Sequence, residues 1–306
     1  MKAVVYTEFG NSNVIKVIDT ENPEITEDEV LIKSYAVSVN PADIKFRKGL
    51  MQRRIPIELP YIPGLDVSGV VEKVGNNVTR LKVGDSVFGG KFGNTYSEYV
   101  ALKESDTSII STKINFNEAV ALVVPIITSY SFLVDNGDVK QGQRILIQGM
   151  TGGTGQVMLQ MAKSLGLYVI GTTSTSGIEL AKKLGTDEVI DYKTQDFIGL
   201  VKDVDIVIDL VGGETQVNSF KVLKKNGKLF SGVMPPSQEL AKSYEVEAKF
   251  ISSGYSYKKL DFGMKLLEEG KLIPQTITLM KFENAAEAQD KLSSGGLNGK
   301  VVLELN

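Results

Sequence analysis

The chain has 306 residues, 42% hydrophobic and 23% charged, with a formal net charge of -3. That length exceeds one small core and suggests two domains. The mildly acidic balance gives no reason to expect nucleic acid or an anionic membrane as a main partner. Cysteine and histidine are both absent, which excludes disulfides, thiolate nucleophiles, imidazole bases and Cys/His metal sites. The opening segment is too short and too soon acidic for a signal peptide. The longest apolar run, 119–127, is interrupted by Pro125 and falls short of a membrane span. The expectation is a soluble, cytoplasmic protein whose proton donors, in an enzyme, are limited to tyrosine, lysine, carboxyls and water.

Residues 1–115 read as all-β. Short alternating or apolar runs at 3–6, 14–17, 30–39, 67–74, 86–88 and 96–101 are punctuated by Gly, Asn-Pro and Asn-Asn turns. A helical segment at 41–48 interrupts them. Between 114 and 133 the pattern turns helical, with Asn115 and Asn117 as candidate caps. From 143 to about 253, strand and helix alternate: strands at 145–148, 168–172, 188–190, 205–209, 227–231 and 249–252, with helices notably at 177–184 and 214–223. Six strands with helical crossovers predict a doubly wound parallel sheet. The last fifty residues break the alternation, with amphipathic helices at 260–270 and 284–292 and strands at 275–280 and 300–305. The chain is therefore expected to divide as 1–115, 116–256 and 257–306, the last part returning to the first domain.

The most informative stretch is Arg144-Ile-Leu-Ile-Gln-Gly-Met-Thr-Gly-Gly-Thr-Gly155 and the helix-patterned residues after it. A buried strand, a glycine turn and a helix N-terminus make a ready anion site, and the implied ligand is a pyrophosphate. The usual G-x-G-x-x-G spacing would require glycine at 150, where Met150 stands. The reading therefore rests on Gly152, Gly153, Thr154 and Gly155, with Thr151 beside them.

Six further segments join this turn: Asn40-Pro-Ala-Asp-Ile-Lys-Phe-Arg-Lys-Gly49, Ile62-Pro-Gly-Leu-Asp-Val-Ser-Gly-Val-Val-Glu-Lys-Val-Gly75, Val83-Gly-Asp-Ser-Val-Phe-Gly89, Tyr96-Ser-Glu-Tyr-Val100, Lys183-Leu-Gly-Thr-Asp-Glu-Val-Ile-Asp-Tyr192 and Gly299-Lys-Val-Val-Leu303. In this order and at these spacings the chain resembles the zinc-independent quinone oxidoreductase group of the medium-chain dehydrogenases/reductases. Zeta-crystallin, the chloroplast-envelope quinone oxidoreductase and the alkenal reductases belong to that group. The resemblance implies a Rossmann domain inserted in a GroES-like β-barrel catalytic domain, and a homodimer. The resembled enzymes usually place alanine where Met150 stands, so a side chain there is permitted. Zinc alcohol dehydrogenases of the same superfamily carry a Cys ligand where this chain has Asn40, and Gly-His-Glu where it has Gly64-Leu65-Asp66. No metal is expected.

Through the same resemblance, Asn40 and Lys45 are the candidate catalytic residues, on a segment that lines the nicotinamide site. Lys45 is suited to donate to a substrate carbonyl oxygen. Asp43 and Arg47, at i,i+4, read equally well as a simple surface pair. Thr128 is placed against the nicotinamide carboxamide. The second Rossmann strand ends in Gly171-Thr-Thr-Ser-Thr-Ser-Gly177, hydroxyls without a carboxylate, which favours NADP over NAD. Ser174 is the expected phosphate contact and Tyr192 matches the family tyrosine near the adenosine phosphate; the basic residue that some relatives carry near position 177 is Gly here, with Lys182 or Lys183 as candidate substitutes. Val211, Gly232 and Val233 follow the fourth and fifth strands and are expected to flank the cofactor. Lys300 resembles a family position without an assigned role. The expected activity is NADPH-dependent hydride transfer to a quinone. The alternatives are reduction of the C=C bond of an enone or alkenal, an α,β-unsaturated carbonyl, and a crystallin-like protein that binds NADPH without turnover. The proton source is limited to water, Lys45, Tyr96 or Tyr130.

Overall fold

The computed structural model describes residues 1–305. Two compact units form: Met1–Val124 with Tyr255–Lys265 and Pro274–Asn306, and Pro125–Gly254 with Leu266–Ile273.

The first unit begins with a two-stranded antiparallel ribbon, β1 (Lys2–Tyr6) and β2 (Ile15–Asp19). The long strand β3 (Glu29–Val39) follows and runs into helix α1 (Pro41–Arg47). Proline at the first helical position loses no hydrogen bond, because the N–H there has no partner in any helix. β4 (Asp66–Val74), β5 (Ser86–Gly90), β6 (Tyr99–Lys103) and β7 (Thr107–Ile109) then build an antiparallel sheet on β3. β7 was not expected from its sequence, being three residues long. Valines 30, 37, 39, 67, 71 and 87 fill the core on one sheet face, all at most 1% exposed.

Helix α2 (Phe116–Tyr130) contains Pro125 and continues as a π-helical turn, Ser131–Asn136. Pro125 cannot donate to the carbonyl four residues back, and that carbonyl, on Ala121, instead accepts the side-chain amide of Gln275 at 2.6 Å. The helix thus runs through Pro125, as the helical pattern over 114–133 predicts. By length and composition 116–136 suffices to cross a membrane, yet 67% of its apolar window is buried inside the molecule, as in a core helix.

The second unit is a six-stranded parallel sheet. In chain order it comprises β8 (Arg144–Gln148), α3 (Gly153–Ser164), β9 (Tyr168–Thr173), α4 (Ile178–Lys183), β10 (Glu188–Asp191), α5 (Phe197–Leu200), β11 (Val204–Asp209), α6 (Gly213–Ser219), β12 (Leu223–Ser231), α7 (Gln238–Ser243) and β13 (Glu247–Phe250). The spatial order β10-β9-β8-β11-β12-β13 reverses direction beside β8. This is the Rossmann order, with its switch point at the end of the glycine-turn strand. Ile145, Leu146 and Ile147 are fully buried, as a strand covered on both faces requires.

After α8 (Tyr257–Glu268) the chain rejoins the first unit through β14 (Ile277–Lys281), α9 (Ala285–Ser293) and β15 (Lys300–Glu304). β15 pairs antiparallel with β3, and β14 pairs parallel with β15. The sheet order β14-β15-β3-β4-β5-β7 puts β3 between β15 and β4, and that placement builds the site described next.

Candidate active site

Two constructions carry candidate chemistry, one in each unit. In the second unit, β8 stops at Gln148 and Gly149 turns the chain at φ +77°. Gly152 caps α3, whose first residues are Gly153, Thr154 and Gly155. A Cβ on Gly155 would lie 2.4 Å from the Gly149 oxygen and 2.5 Å from that of Met150, so only glycine lets the helix ride this close over the turn. Gly152, Gly153 and Thr154 are half-exposed, and the first N–H groups of a twelve-residue helix point outward there. Met150 does not crowd them. Its side chain is fully buried and covers Gly171 on β9, where a Cβ would sit 2.2 Å from its sulfur.

Thr151 plays a different part from its neighbours. It is 5% exposed, its hydroxyl lies 2.6 Å from that of Thr173, and its carbonyl accepts the Gln156 amide. Both hydroxyls leave no room beside Gly177, where a Cβ would meet Thr173 Oγ1 at 2.0 Å and Thr151 Oγ1 at 2.7 Å. A side chain at 177 would require both threonine side chains to move. A cation stands elsewhere on the same rim: Lys193, exposed, has its Nζ 5.2 Å from the ring centre of Tyr192, itself 54% exposed. Ser174 Oγ is 3.0 Å from Ser176 Oγ on the adjoining turn. Sequence reasoning offered Lys182 or Lys183 for the cation and missed Lys193; Lys182 is paired with Glu179 at 3.0 Å.

That rim also holds a carboxylate, Asp191 at the end of β10. It accepts the Thr175 hydroxyl at 2.6 Å and the Lys193 N–H at 3.0 Å, and the former bond lowers its pKa below the usual carboxylate value. At the ends of β11 and β12 the fully buried Asp209 joins two loops. Oδ1 accepts the N–H groups of Val211 and Gly212, while Oδ2 accepts Gln216 Nε2 and Ser231 Oγ. Val211 is thereby left half-exposed, and Gly232 and Val233 lie on the second of the two loops. Thr128 is half-buried on α2, and the hydroxyl of Ser129 beside it is buried without a partner among the described residues.

In the first unit the site is made of side chains. Asn40 ends the β3–α1 junction and is 3% exposed. Its N–H donates to Asp43 Oδ2 at 2.8 Å, the return half of a capping box. Its Nδ2 donates to both oxygens of Asp66 at 3.3 Å, and its Oδ1 accepts Lys300 Nζ at 2.5 Å. Asp66 also accepts the Ser38 N–H and hydroxyl, and lies 3.9 Å from Lys300 Nζ. The register explains the meeting. Asp66 opens β4 and Lys300 opens β15, and both strands flank β3 where it ends in Ser38-Val39-Asn40. Burial pushes the Asp43 carboxyl up to about 7, raises Asp66 and lowers the Lys300 ammonium.

Two expectations change. Asp43 and Arg47 are not a surface pair: each is 1% exposed, and Arg47 Nε and Nη1 have no hydrogen-bond partner among the described residues. Tyr96 is fully buried with its hydroxyl on Asp43 Oδ2 at 3.1 Å, so it holds a carboxylate and has no exposed proton to give. Lys45, on the same helix as Asp43, is half-exposed. The interior ties of Lys300 and Asp66 carried no sequence signal beyond their membership of two family-like segments.

Comparison with known proteins places the chain in context. Residues 26–114 match the alcohol dehydrogenase GroES-like domain, and residues 184–303 match a family described as zinc-binding dehydrogenase. The chain is 36% identical to the 2-methylene-furan-3-one reductase of Solanum lycopersicum, over 99% of this chain and 79% of that protein. It is 34% identical to the chloroplastic NADPH-dependent alkenal/one oxidoreductase of Arabidopsis thaliana, over 99% of this chain and 79% of that protein. The quinone oxidoreductase structure from Coxiella burnetii superposes with a TM-score of 0.91 at 32% identity, covering 100% of this chain and 99% of that one. One family description names zinc, and the residues here do not fit that ion. Asn40 and Leu65 stand at the ligand positions, an ammonium is already bonded to Asn40, and no cluster of three Asp, Glu, His or Cys side chains gathers among the described residues.

Proposed function

The chain belongs to the zinc-independent quinone oxidoreductase group of the medium-chain dehydrogenase/reductase family, and from that premise we propose that it is an NADPH-dependent oxidoreductase reducing a quinone. The observation that carries the reading is the glycine turn. The half-exposed start of α3, with Gly152 as its cap and the free N–H groups of Gly153 and Thr154, offers a helix N-terminus to a pyrophosphate. Ser174, Ser176, Tyr192 and the exposed cation Lys193, with the Asp191 carboxylate engaged by Thr175 and the Lys193 N–H, form a polar rim suited to a 2′-phosphate, which favours NADPH over NADH. Val211, Gly232 and Val233 would border the cofactor at the strand ends, Thr128 would meet the carboxamide, and Thr151 would hold the turn in shape. Bound there, NADPH supplies a hydride equivalent.

The chain's own contribution is orientation and charge. Asn40, with its carboxamide bonded inward, sets the start of α1, and α1 presents Lys45. An ammonium there donates to a carbonyl oxygen and stabilises the negative charge that develops on it. That residue favours a second reading, reduction of the C=C bond of an enone or alkenal, because conjugate reduction builds enolate charge on one oxygen. The reductases at 36% and 34% identity point the same way. The reading extends to a cytoplasmic homodimer, which light scattering would show as twice the 33.3 kDa chain mass.

Stopped-flow NADPH oxidation against a panel of quinones, enals and enones tests the proposal, and no turnover with any of them would sink it. Lys45→Ala should lower enone turnover by about 10- to 100-fold and quinone turnover less. Equal losses on both would remove the argument for the alkene.

A further inference from the structure

Lys300 is a buried cation at a place where a lysine needs a reason. It is 7% exposed, and its neighbours Asn40 and Asp66 are 3% and 0% exposed. An ammonium taken out of water is strongly disfavoured unless paired and hydrogen-bonded. Here it is both, through Asn40 Oδ1 at 2.5 Å and Asp66 Oδ2 at 3.9 Å. The positions involved are those at which the zinc enzymes of the superfamily hold their metal. This chain has Asn40 and Leu65 there, and a lysine from 260 residues away reaches Asn40.

We infer that Lys300 is a positioning residue for the reaction, a fixed internal cation that stands against the former metal positions and locks the β3–α1 junction that presents Lys45. The inference rests on the oxidoreductase reading given above. Its logic lies in the two ends of one carboxamide. An ammonium faces one end of the Asn40 side chain and a carboxylate the other, so only one orientation is attractive: oxygen toward Lys300, nitrogen toward Asp66. A flipped amide would set N–H against ammonium and C=O against carboxylate. The lock is shared by three strands and the helix. Lys300 comes from β15, Ser38 from β3 and Asp66 from β4, while the Asn40 N–H is held by Asp43 of α1. The Tyr96 hydroxyl joins the assembly, with Asp43 Oδ2 at 3.1 Å and the Ser38 carbonyl at 3.3 Å sharing its single proton. Gly299 makes the approach of Lys300 feasible: at φ +150°, a Cβ there would lie 2.0 Å from the Thr276 oxygen.

The experiment separates charge balance from positioning. Lys300→Met strands Asp66 as an unpaired buried carboxylate, so this variant is expected to melt earlier or fold poorly. Lys300→Met with Asp66→Asn removes both charges, and its melting temperature is expected to return close to wild type. If Lys300 positions Asn40, the double variant still turns over about tenfold or more slowly, with KM for NADPH within about twofold of wild type. A second readout does not depend on turnover. The Asn40 side-chain amide pair in nitrogen-15 NMR spectra, assigned by its disappearance in Asn40→Asp, should be sharp and distinct in the wild type. It should broaden or shift to the solvent-exposed range in the double variant. A double variant with wild-type kcat and an unchanged Asn40 amide signal would overturn the inference, because Lys300 would then serve charge balance alone. A wild type inactive on every acceptor would sink the oxidoreductase reading instead, and the amide signal would still decide whether Lys300 orders Asn40.

Discussion

The glycine turn of the second unit and the β3–α1 junction of the first make opposite use of the chain. The turn is backbone chemistry written into one continuous segment. β8, Gly149, Gly152 and the opening of α3 fall within a dozen residues, and the groups on offer are backbone N–H groups, which every residue but proline owns. The junction is side-chain chemistry gathered from Ser38, Asn40, Asp43, Asp66, Tyr96 and Lys300, which meet only because the sheet sets β15 and β4 on either side of β3. A site of the first kind tolerates no Cβ in its tight places but is nearly indifferent to side-chain chemistry elsewhere. A site of the second kind depends on each donor finding its acceptor, since a buried polar group left alone costs more than the bond it makes contributes.

Three experiments would break or sharpen this contrast. The largest effect is expected at Gly155. Gly155→Ala places a methyl 2.4–2.7 Å from backbone atoms of Gly149 and Met150, which no side-chain rotation relieves. NADPH affinity, read by fluorescence titration, should fall by about 100-fold, the scale attached to an ångström of misplacement. Retained affinity would mean that the turn is not the pyrophosphate cradle. Next in size is Lys193→Ala. Loss of one cation from the rim should reduce the preference for NADPH over NADH by about tenfold, or about 1.4 kcal/mol. An unchanged ratio of kcat/KM for the two cofactors would leave Ser174 and Ser176 to account for the selectivity.

The smallest effect concerns Asp43. Its carboxyl is pushed up to about 7 by burial, above the ordinary value near 4. A raised carboxyl binds its proton more tightly in the folded state. Its contribution to stability is therefore full below roughly pH 4 and is lost as pH rises through about 7. Asp43→Asn cannot titrate, so the melting temperature of the wild type minus that of the variant should shrink from pH 5 to pH 8. A difference that stays constant or grows would show that Asp43 remains ionised throughout.

Much of this was legible in the sequence. All six strands of the Rossmann sheet were expected within a few residues of their observed ends, because buried apolar runs between helical patterns report period and burial directly. A helix running through Pro125 was expected as well, at 114–133; what the sequence did not show is that the distant Gln275 amide takes over the freed Ala121 carbonyl. Met150 shows the same limit inside the best motif. Its bulk was set against the glycine spacing, whereas its side chain turns away and fills the space above Gly171.

The sequence by itself determined the backbone-built half of this protein: a parallel sheet, a glycine turn at its switch strand, and a chain without the cysteine and histidine ligands of the superfamily's zinc site. Tertiary structure alone decided that Lys300 bonds Asn40, that Tyr96 and Arg47 are interior, and that Lys193 lies over the Tyr192 ring. The physical reason is range. Strand, turn and helix signals are carried by neighbours a few residues apart, whereas a buried charge is tolerated only by partners that strand pairing delivers from anywhere in the chain.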